Sequence, residues 1–232
     1  MAEYNRGIFR LRNLQDLELS GLWNSSNYVT GYGYFGGGYR TGIGVNSTVN
    51  RIDYTNDTPT ASVKGPLSAS KYGAAATGNI SFGYFGAGTS TSSSLVERVD
   101  YSNDTATAPA KGPLSLARKT LAATGNSSFG YFGGGNAPGP IFYTRVDRID
   151  YSNDTPTAPA KGSLSAARYG AAATGNSSYG YFGAGLVSPA RVSTVDRIDY
   201  SNDTPTTSLR GPLSVARYYL AATSAAANGL PQ

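Results

Sequence analysis

Hydrophobic and polar positions alternate along this chain in short bursts, and the bursts recur in a fixed order. Residues 96–101, Val-Glu-Arg-Val-Asp-Tyr, put Val96, Arg98 and Asp100 on one side and Glu97, Val99 and Tyr101 on the other. That two-residue period predicts a β-strand. Residues 82–86, Phe-Gly-Tyr-Phe-Gly, predict a second strand, aromatic and ended by glycine. Residues 121–125 predict a third, made of small residues. The stretch Thr-Ala-Thr-Ala-Pro-Ala, residues 105–110, predicts a weak strand. Its proline suits a sheet edge, because proline donates no ladder hydrogen bond. Ser-Asn-Asp-Thr, directly after the strand at residues 96–101, supplies turn chemistry.

All four patterns occur four times. Gly-Tyr-Phe-Gly starts at Gly33, Gly83, Gly130 and Gly180, and Arg-Ile/Val-Asp-Tyr at Arg51, Arg98, Arg148 and Arg197. A Lys/Arg-Gly motif starts at Lys64, Lys111, Lys161 and Arg210, and an alanine-rich run ends at Thr77, Thr124, Thr174 and Thr223. The aspartates of Arg-Ile/Val-Asp-Tyr are spaced by 47, 50 and 49 residues. A period of that size predicts a propeller blade of about 49 residues and four antiparallel strands. The fold expected is therefore all-β, a four-bladed β-propeller over residues 31–224. Residues 1–30 would form an N-terminal docking arm and residues 225–232 a C-terminal tail. The ring would close when residues 219–223 pair beside the first aromatic strand, which removes exposed edges. Alanines such as Ala122 and Ala171 would suit strands crowded at a narrow axis. In the alternative, residues 23–30 pair there instead, and the C-terminal strand pairs with a neighbouring chain.

The repeat resembles the kelch repeat. The resemblance rests on Gly133-Gly134, the strand at residues 146–151, Pro159, Arg168 and the small-residue run at 171–173. It covers residues 31–224 and departs where that family carries tryptophan: Thr60, Thr107, Thr157 and Thr206 stand there. The phrases GYFGGG, VDRIDYSNDT and KGPLSLAR also resemble repeat-rich structural proteins of marine cyanobacterial phages. That resemblance implies a structural or adhesion component of a virion (tail, fibre or capsid decoration), assembled in the host cytoplasm.

Composition narrows the chemistry. The 232 residues include neither cysteine nor histidine. Thiolate sites, disulfides and the commonest general base are therefore excluded, and no enzymatic activity, cofactor or metal site is expected. Asp100, Asn103 and Asp104 offer oxygen ligands, but the Asx-rich tetrapeptide is read as a turn. The repeated Arg and Asp are read as ion pairs between blades. The charge of +5 is spread one or two residues per repeat and forms no patch of the kind nucleic acid needs. No apolar run spans a bilayer, so no membrane insertion is expected.

Binding is expected in the loops between the glycine triplet and Arg-Ile/Val-Asp-Tyr, where length and sequence vary on a constant frame. The candidates are Tyr39, Arg40, Ile141, Phe142, Tyr143, Leu186, Val187 and Arg191. A host-surface glycan or protein is the expected partner. In the arm, Ile8, Phe9, Leu11, Leu14, Leu17 and Trp23 are candidates for docking onto other virion proteins. A homo-oligomer and a lectin-like propeller outside any virion are the alternatives.

Overall fold

The computed structural model describes residues 31–89 and 91–224. Among these residues every regular element is a β-strand, and every named strand pair is antiparallel. The docking-arm candidates and the tail lie outside the described residues. Contacts divide the chain into two units, Met1–Gly33 with Arg51–Ser62, and Tyr34–Asn50 with Val63–Gln232.

The first repeat contributes β1 (Tyr32–Gly36), β2 (Tyr39–Arg40), β3 (Gly44–Val45), β4 (Val49–Asp53) and β5 (Ser62–Lys64). The second contributes β6 (Ala75–Gly78), β7 (Phe82–Gly86), β8 (Val96–Asp100) and β9 (Ala110–Lys111). The third contributes β10 (Ala122–Gly125), β11 (Phe129–Gly133), β12 (Asn136–Ala137), β13 (Ile141–Phe142) and β14 (Val146–Asp150). The fourth contributes β15 (Ala172–Gly175), β16 (Tyr179–Gly183), β17 (Leu186–Val187), β18 (Ala190–Arg191), β19 (Val195–Asp199) and β20 (Ser208–Arg210). The sheets run β1-β4-β5, β6-β7-β8-β9, β10-β11-β14 and β15-β16-β19-β20. Each is an up-and-down meander, and we call each a module. The proline-bearing strand begins later than expected: β9 follows Pro109, and in the third module only the bridge between Asp147 and Ala160 remains. Pro109 and Pro159 interrupt the donor ladder just before those pairings.

The smaller unit is described by Gly31–Gly33 and Arg51–Ser62. Tyr54 N–H donates to the Gly31 carbonyl, and Arg51 lies over the Tyr32 ring at 4.1 Å. A Cβ added to Gly33 would come within 2.7 Å of the Tyr54 hydroxyl, so only glycine lets that ring lie down. Gly83, Gly130 and Gly180 repeat this arrangement under Tyr101, Tyr151 and Tyr200.

In the larger unit the hydrophobic core lies between modules and not within them. One cluster joins Val49 and Leu67 to Phe85 and Val99; a second joins Tyr84 and Val96 to Phe132 and Ile149; a third joins Tyr131 and Val146 to Phe182 and Ile198. The parts recur at each joint. Phe85, Phe132 and Phe182 cover the last glycine of the preceding aromatic strand, at Gly36, Gly86 and Gly133. Tyr34 stacks on Tyr101 at 4.7 Å, Tyr84 on Tyr151 at 4.9 Å, and Tyr131 on Tyr200 at 4.9 Å. Each such joint buries two large rings, worth roughly 3–6 kcal/mol of apolar transfer.

The expected closure of a ring is not made among the described residues. The sheet of β1 holds only β4 and β5, and residues 219–223 form no strand. They follow the fourth module instead. Tyr219 N–H donates to the Gly170 carbonyl, as Gly170 does to Thr120 and Thr120 to Gly73. Thr174 Oγ1 donates to the Thr223 carbonyl, as Thr124 Oγ1 does to Thr174. The ladder residues Gly73, Thr120, Gly170 and Tyr219 are all left-handed, with φ of 68°, 51°, 62° and 54°. That conformation is costly for threonine and tyrosine, and the repeated backbone bonds hold it.

Candidate functional site

The repeated frame binds its charges to itself. Asp154 and Asp203 each draw three donors from the module before, and Asp104 draws Tyr34 and Lys64 in the same places. Asp154 accepts Tyr84 Oη at 2.9 Å, Arg98 Nη1 at 2.8 Å and Lys111 Nζ at 3.2 Å. Asp203 accepts Tyr131, Arg148 and Lys161 in the same way. The first joint sets Tyr34 and Lys64 on Asp104. Burial, and then the neighbouring carboxylate, push the Tyr84 and Tyr131 hydroxyls well above the usual phenol range. Burial also pushes Tyr200 up to about 12.

A second set is fully enclosed. Lys71 meets Glu97 at 3.0 Å, Arg118 meets Asp147 at 2.9 Å and Arg168 meets Asp196 at 2.7 Å. Burial pulls all three cations below their usual range, and the facing carboxylates oppose the shift. Of the repeated charges expected in ion pairs between repeats, Arg148 and Asp147 make them, with Asp203 and Arg118, whereas Asp150 accepts from Ser152 in its own turn.

The Asp-Tyr-Ser-Asn-Asp segment closes as a turn. Asp100 Oδ1 accepts Ser102 N–H at 2.9 Å and Ser102 Oγ at 2.6 Å, with the same bonds at Asp150 and Asp199. No cluster of acidic residues with metal-holding geometry occurs among the described residues. A cleft of about 320 Å³ lies against this turn in the third repeat, beside Arg148, Asn153, Asp154 and Pro156, where Asp154 is already engaged.

The loops carry what the frame leaves open. In three repeats the variable segment folds as a hairpin: β2 with β3, β12 with β13, and β17 with β18. Tyr39 and Arg40 lie exposed on the first, and Tyr39 meets Tyr72 edge-on at 5.9 Å. On the second, Ile141 is 49% exposed, and Phe142 stacks on Tyr169 at 5.1 Å. On the third, Arg191 sits over Tyr218 at 5.3 Å. Leu186 exchanges two backbone bonds with Tyr169, and Val187 pairs with Ala190.

Tyr169 links the second and third of these hairpins. It contacts Tyr218 at 6.2 Å and Tyr219 at 6.0 Å, and those two rings pack at 4.7 Å. Burial, with Tyr169, Tyr72 and Tyr218 nearby, raises the Tyr219 hydroxyl. Of the expected loop residues, the structure brings Phe142, Leu186 and Arg191 to one aromatic cluster. It leaves Tyr39 and Arg40 on another hairpin. Tyr143 has its backbone fixed by Gly135 and Arg168. The sequence reading missed Tyr72, Tyr169, Tyr218 and Tyr219. Their signal was a Tyr directly after the Lys/Arg that opens three of the alanine runs.

Chemically, this surface offers ring faces, phenol hydroxyls and a guanidinium. Such groups stack on and hydrogen-bond to a ligand. No helix among the described residues is long and apolar enough to cross a membrane. No family model matches the chain, and no curated protein is similar to it.

Proposed function

We propose that this chain is a non-enzymatic structural and adhesion component of a phage virion, a tail, fibre or capsid-decorating protein that presents variable loops on a propeller-type scaffold. The observation that carries this reading is a division of labour. Frame charges are spent on joints between modules, as at Asp154 and Asp203, whereas the hairpins keep Tyr39, Arg40, Ile141 and Arg191 exposed. A scaffold so satisfied holds loops in place, and loops on rigid scaffolds carry recognition. In this reading each meander is a blade, and residues 219–223 add beside β1 to close the ring. The N-terminal arm docks the chain to other virion proteins, and the assembled particle is its location.

Mass spectrometry of purified particles tests the proposal: the chain is expected at a fixed copy number, and its absence refutes a virion role. The double substitution Phe142→Ala with Arg191→Ala is expected to lower particle attachment to host cells at least tenfold, with the thermal midpoint nearly unchanged.

A second reading, a lectin-like binding protein outside any virion, is favoured by the cluster of Phe142, Tyr169, Tyr218 and Arg191. Glycan-array binding by a soluble chain absent from particles distinguishes it.

A further inference from the structure

The repeated motifs hold Lys/Arg and Asp/Glu in equal number, and residues 1–30 balance as well. The formal charge of +5 is therefore made by Arg40, Lys119, Arg145, Arg191 and Arg217. Arg217 belongs among them because Asn50 stands where Glu97, Asp147 and Asp196 stand in the later repeats. Folding sets all five on or beside the variable segments. Arg40 lies in β2 and Arg191 in β18. Lys119 exchanges two backbone bonds with Asn136 of β12, the Arg145 carbonyl accepts Gly134 N–H, and Arg217 N–H donates to the Val192 carbonyl. No Asp or Glu occurs in residues 37–48, 69–74, 87–95, 116–121, 134–145, 166–171, 184–194 or 215–220. The nearest carboxylates, Glu97, Asp147 and Asp196, are enclosed against Lys71, Arg118 and Arg168. The others lie at the far end of the same strands, as Asp150 does at the end of β14.

The same end collects phenols that the frame does not use. The backbone bonds from Thr120 to Gly73, Gly170 to Thr120 and Tyr219 to Gly170 bring the residues just before them, Tyr72, Lys119, Tyr169 and Tyr218, to one side of the larger unit. Tyr39 meets Tyr72, Phe142 meets Tyr169, and Arg191 lies over Tyr218. Frame phenols are engaged: Tyr34, Tyr84 and Tyr131 donate to carboxylates, and Tyr151 and Tyr200 bond to threonines. Among the described residues no hydrogen bond engages the hydroxyls of Tyr72, Tyr169, Tyr218 and Tyr219, and no carboxylate pairs with Arg40 or Arg191. Arg40, Arg191 and Tyr219 are exposed.

We infer that this end of the larger unit binds an acidic glycan, a polysaccharide whose sugars carry carboxylates. The inference rests on the reading that the loops perform recognition, and it names the ligand class. Arg191 is held over the Tyr218 ring, which leaves the edge of its guanidinium to pair with a carboxylate through two parallel hydrogen bonds. Arg40, on the first hairpin, offers the same fork to a second acidic sugar. The phenols of Tyr169, Tyr218 and Tyr219 take the sugar hydroxyls, and ring edges, which are the positive part of an aromatic quadrupole, favour an anion beside them. A field without carboxylates adds attraction at longer range. Nucleic acid fits less well, because stacked bases need a row of parallel rings. Tyr169 instead meets Tyr218 at 83° and Tyr219 at 67°.

Surface plasmon resonance with the full chain tests this on immobilised polygalacturonate, alginate and polysialate. Each polymer is compared with its carboxyl-reduced, neutral form, and polyglutamate and single-stranded DNA serve as polyanions without sugar carboxylates. At least one acidic glycan is expected to bind, at least about tenfold more tightly than its reduced form and than either control. Rising salt should weaken that binding. The double substitution Arg40→Gln with Arg191→Gln should lower it at least about tenfold. Both side chains are exposed, so circular dichroism should show an unchanged thermal midpoint. Binding to none of the three acidic glycans overturns the inference, and so does undiminished binding by the double variant. Equal binding to a reduced polymer overturns it while leaving loop recognition of a neutral sugar intact. Tighter binding to polyglutamate or to DNA overturns it in favour of a general polyanion surface. Particle composition, which decides the virion role, is read separately from all of these.

Discussion

Replacing Asp147 by alanine removes a carboxylate from the middle of a fully enclosed pair. Asp147 Oδ2 faces Arg118 Nη1 at 2.9 Å, and both side chains are 0% exposed. The same carboxylate accepts Ser115 Oγ at 2.6 Å and Ser115 N–H at 3.2 Å. Arg118 is meanwhile fastened by Nη2 to the Phe132 carbonyl at 2.9 Å and cannot swing to water without breaking the joint. Its guanidinium would be left buried without a counter-charge, which costs about 3–5 kcal/mol. With a urea slope near 2.5 kcal/mol/M, the midpoint of unfolding falls by about 1–2 M. The double substitution Arg118→Met with Asp147→Leu removes both charges and keeps volume. It is expected to lie within about 1 kcal/mol of the wild type. Equilibrium urea titration followed by circular dichroism measures all three chains. If the single change moved the midpoint by less than about 0.3 M, or the double cost as much as the single, the pair would not hold the joint as argued.

Other outcomes follow from the same geometry. Gly112→Ala sets a Cβ 1.8 Å from the Pro156 carbonyl oxygen, a backbone clash, and should cost at least about 2 kcal/mol in the same titration. The hydrogen bonds from Ser102, first its hydroxyl and then its amide, hold Asp100 below 3.8. A depressed carboxylate stabilises the fold above its unfolded pKa and loses that contribution as pH falls through the folded value. Carboxyl NMR should place the Asp100 midpoint below 3.8, and Ser102→Ala should raise it. Tyr200 has the opposite sign, because burial raises its hydroxyl to about 12. The folded chain keeps a proton that the unfolded chain releases near 10, so stability is intact below pH 10 and falls as pH rises towards 12. Ultraviolet titration should show buried tyrosines ionising together with unfolding; early, reversible ionisation of Tyr200 in the folded chain would contradict its burial.

Much of the frame was legible in the sequence because its signals are local. The expected strand at residues 82–86 is β7, and the strand at 96–101 is β8 less its last residue. Alternation could not show that Glu97 is buried, because its partner Lys71 is 26 residues away and comes from the preceding repeat. Ring closure was inferred from the count of motifs. Counting identifies equivalent parts but not whether the last meets the first, which depends on small rotations accumulated over every joint. The loop cluster was half legible. Phe142 and Arg191 were found as variable residues, whereas Tyr169 lies in the constant frame and becomes a loop partner only through folding.

Because every seam between modules is built from the same donors and acceptors, the array is indifferent to its own length. An in-frame duplication of one unit, for example residues 101–150, would bring its own tyrosine, acid and cation to both new seams. A hairpin could likewise be exchanged between units without disturbing a seam. Such a chain can lengthen or change its recognition face by copying and recombination, without any residue being redesigned.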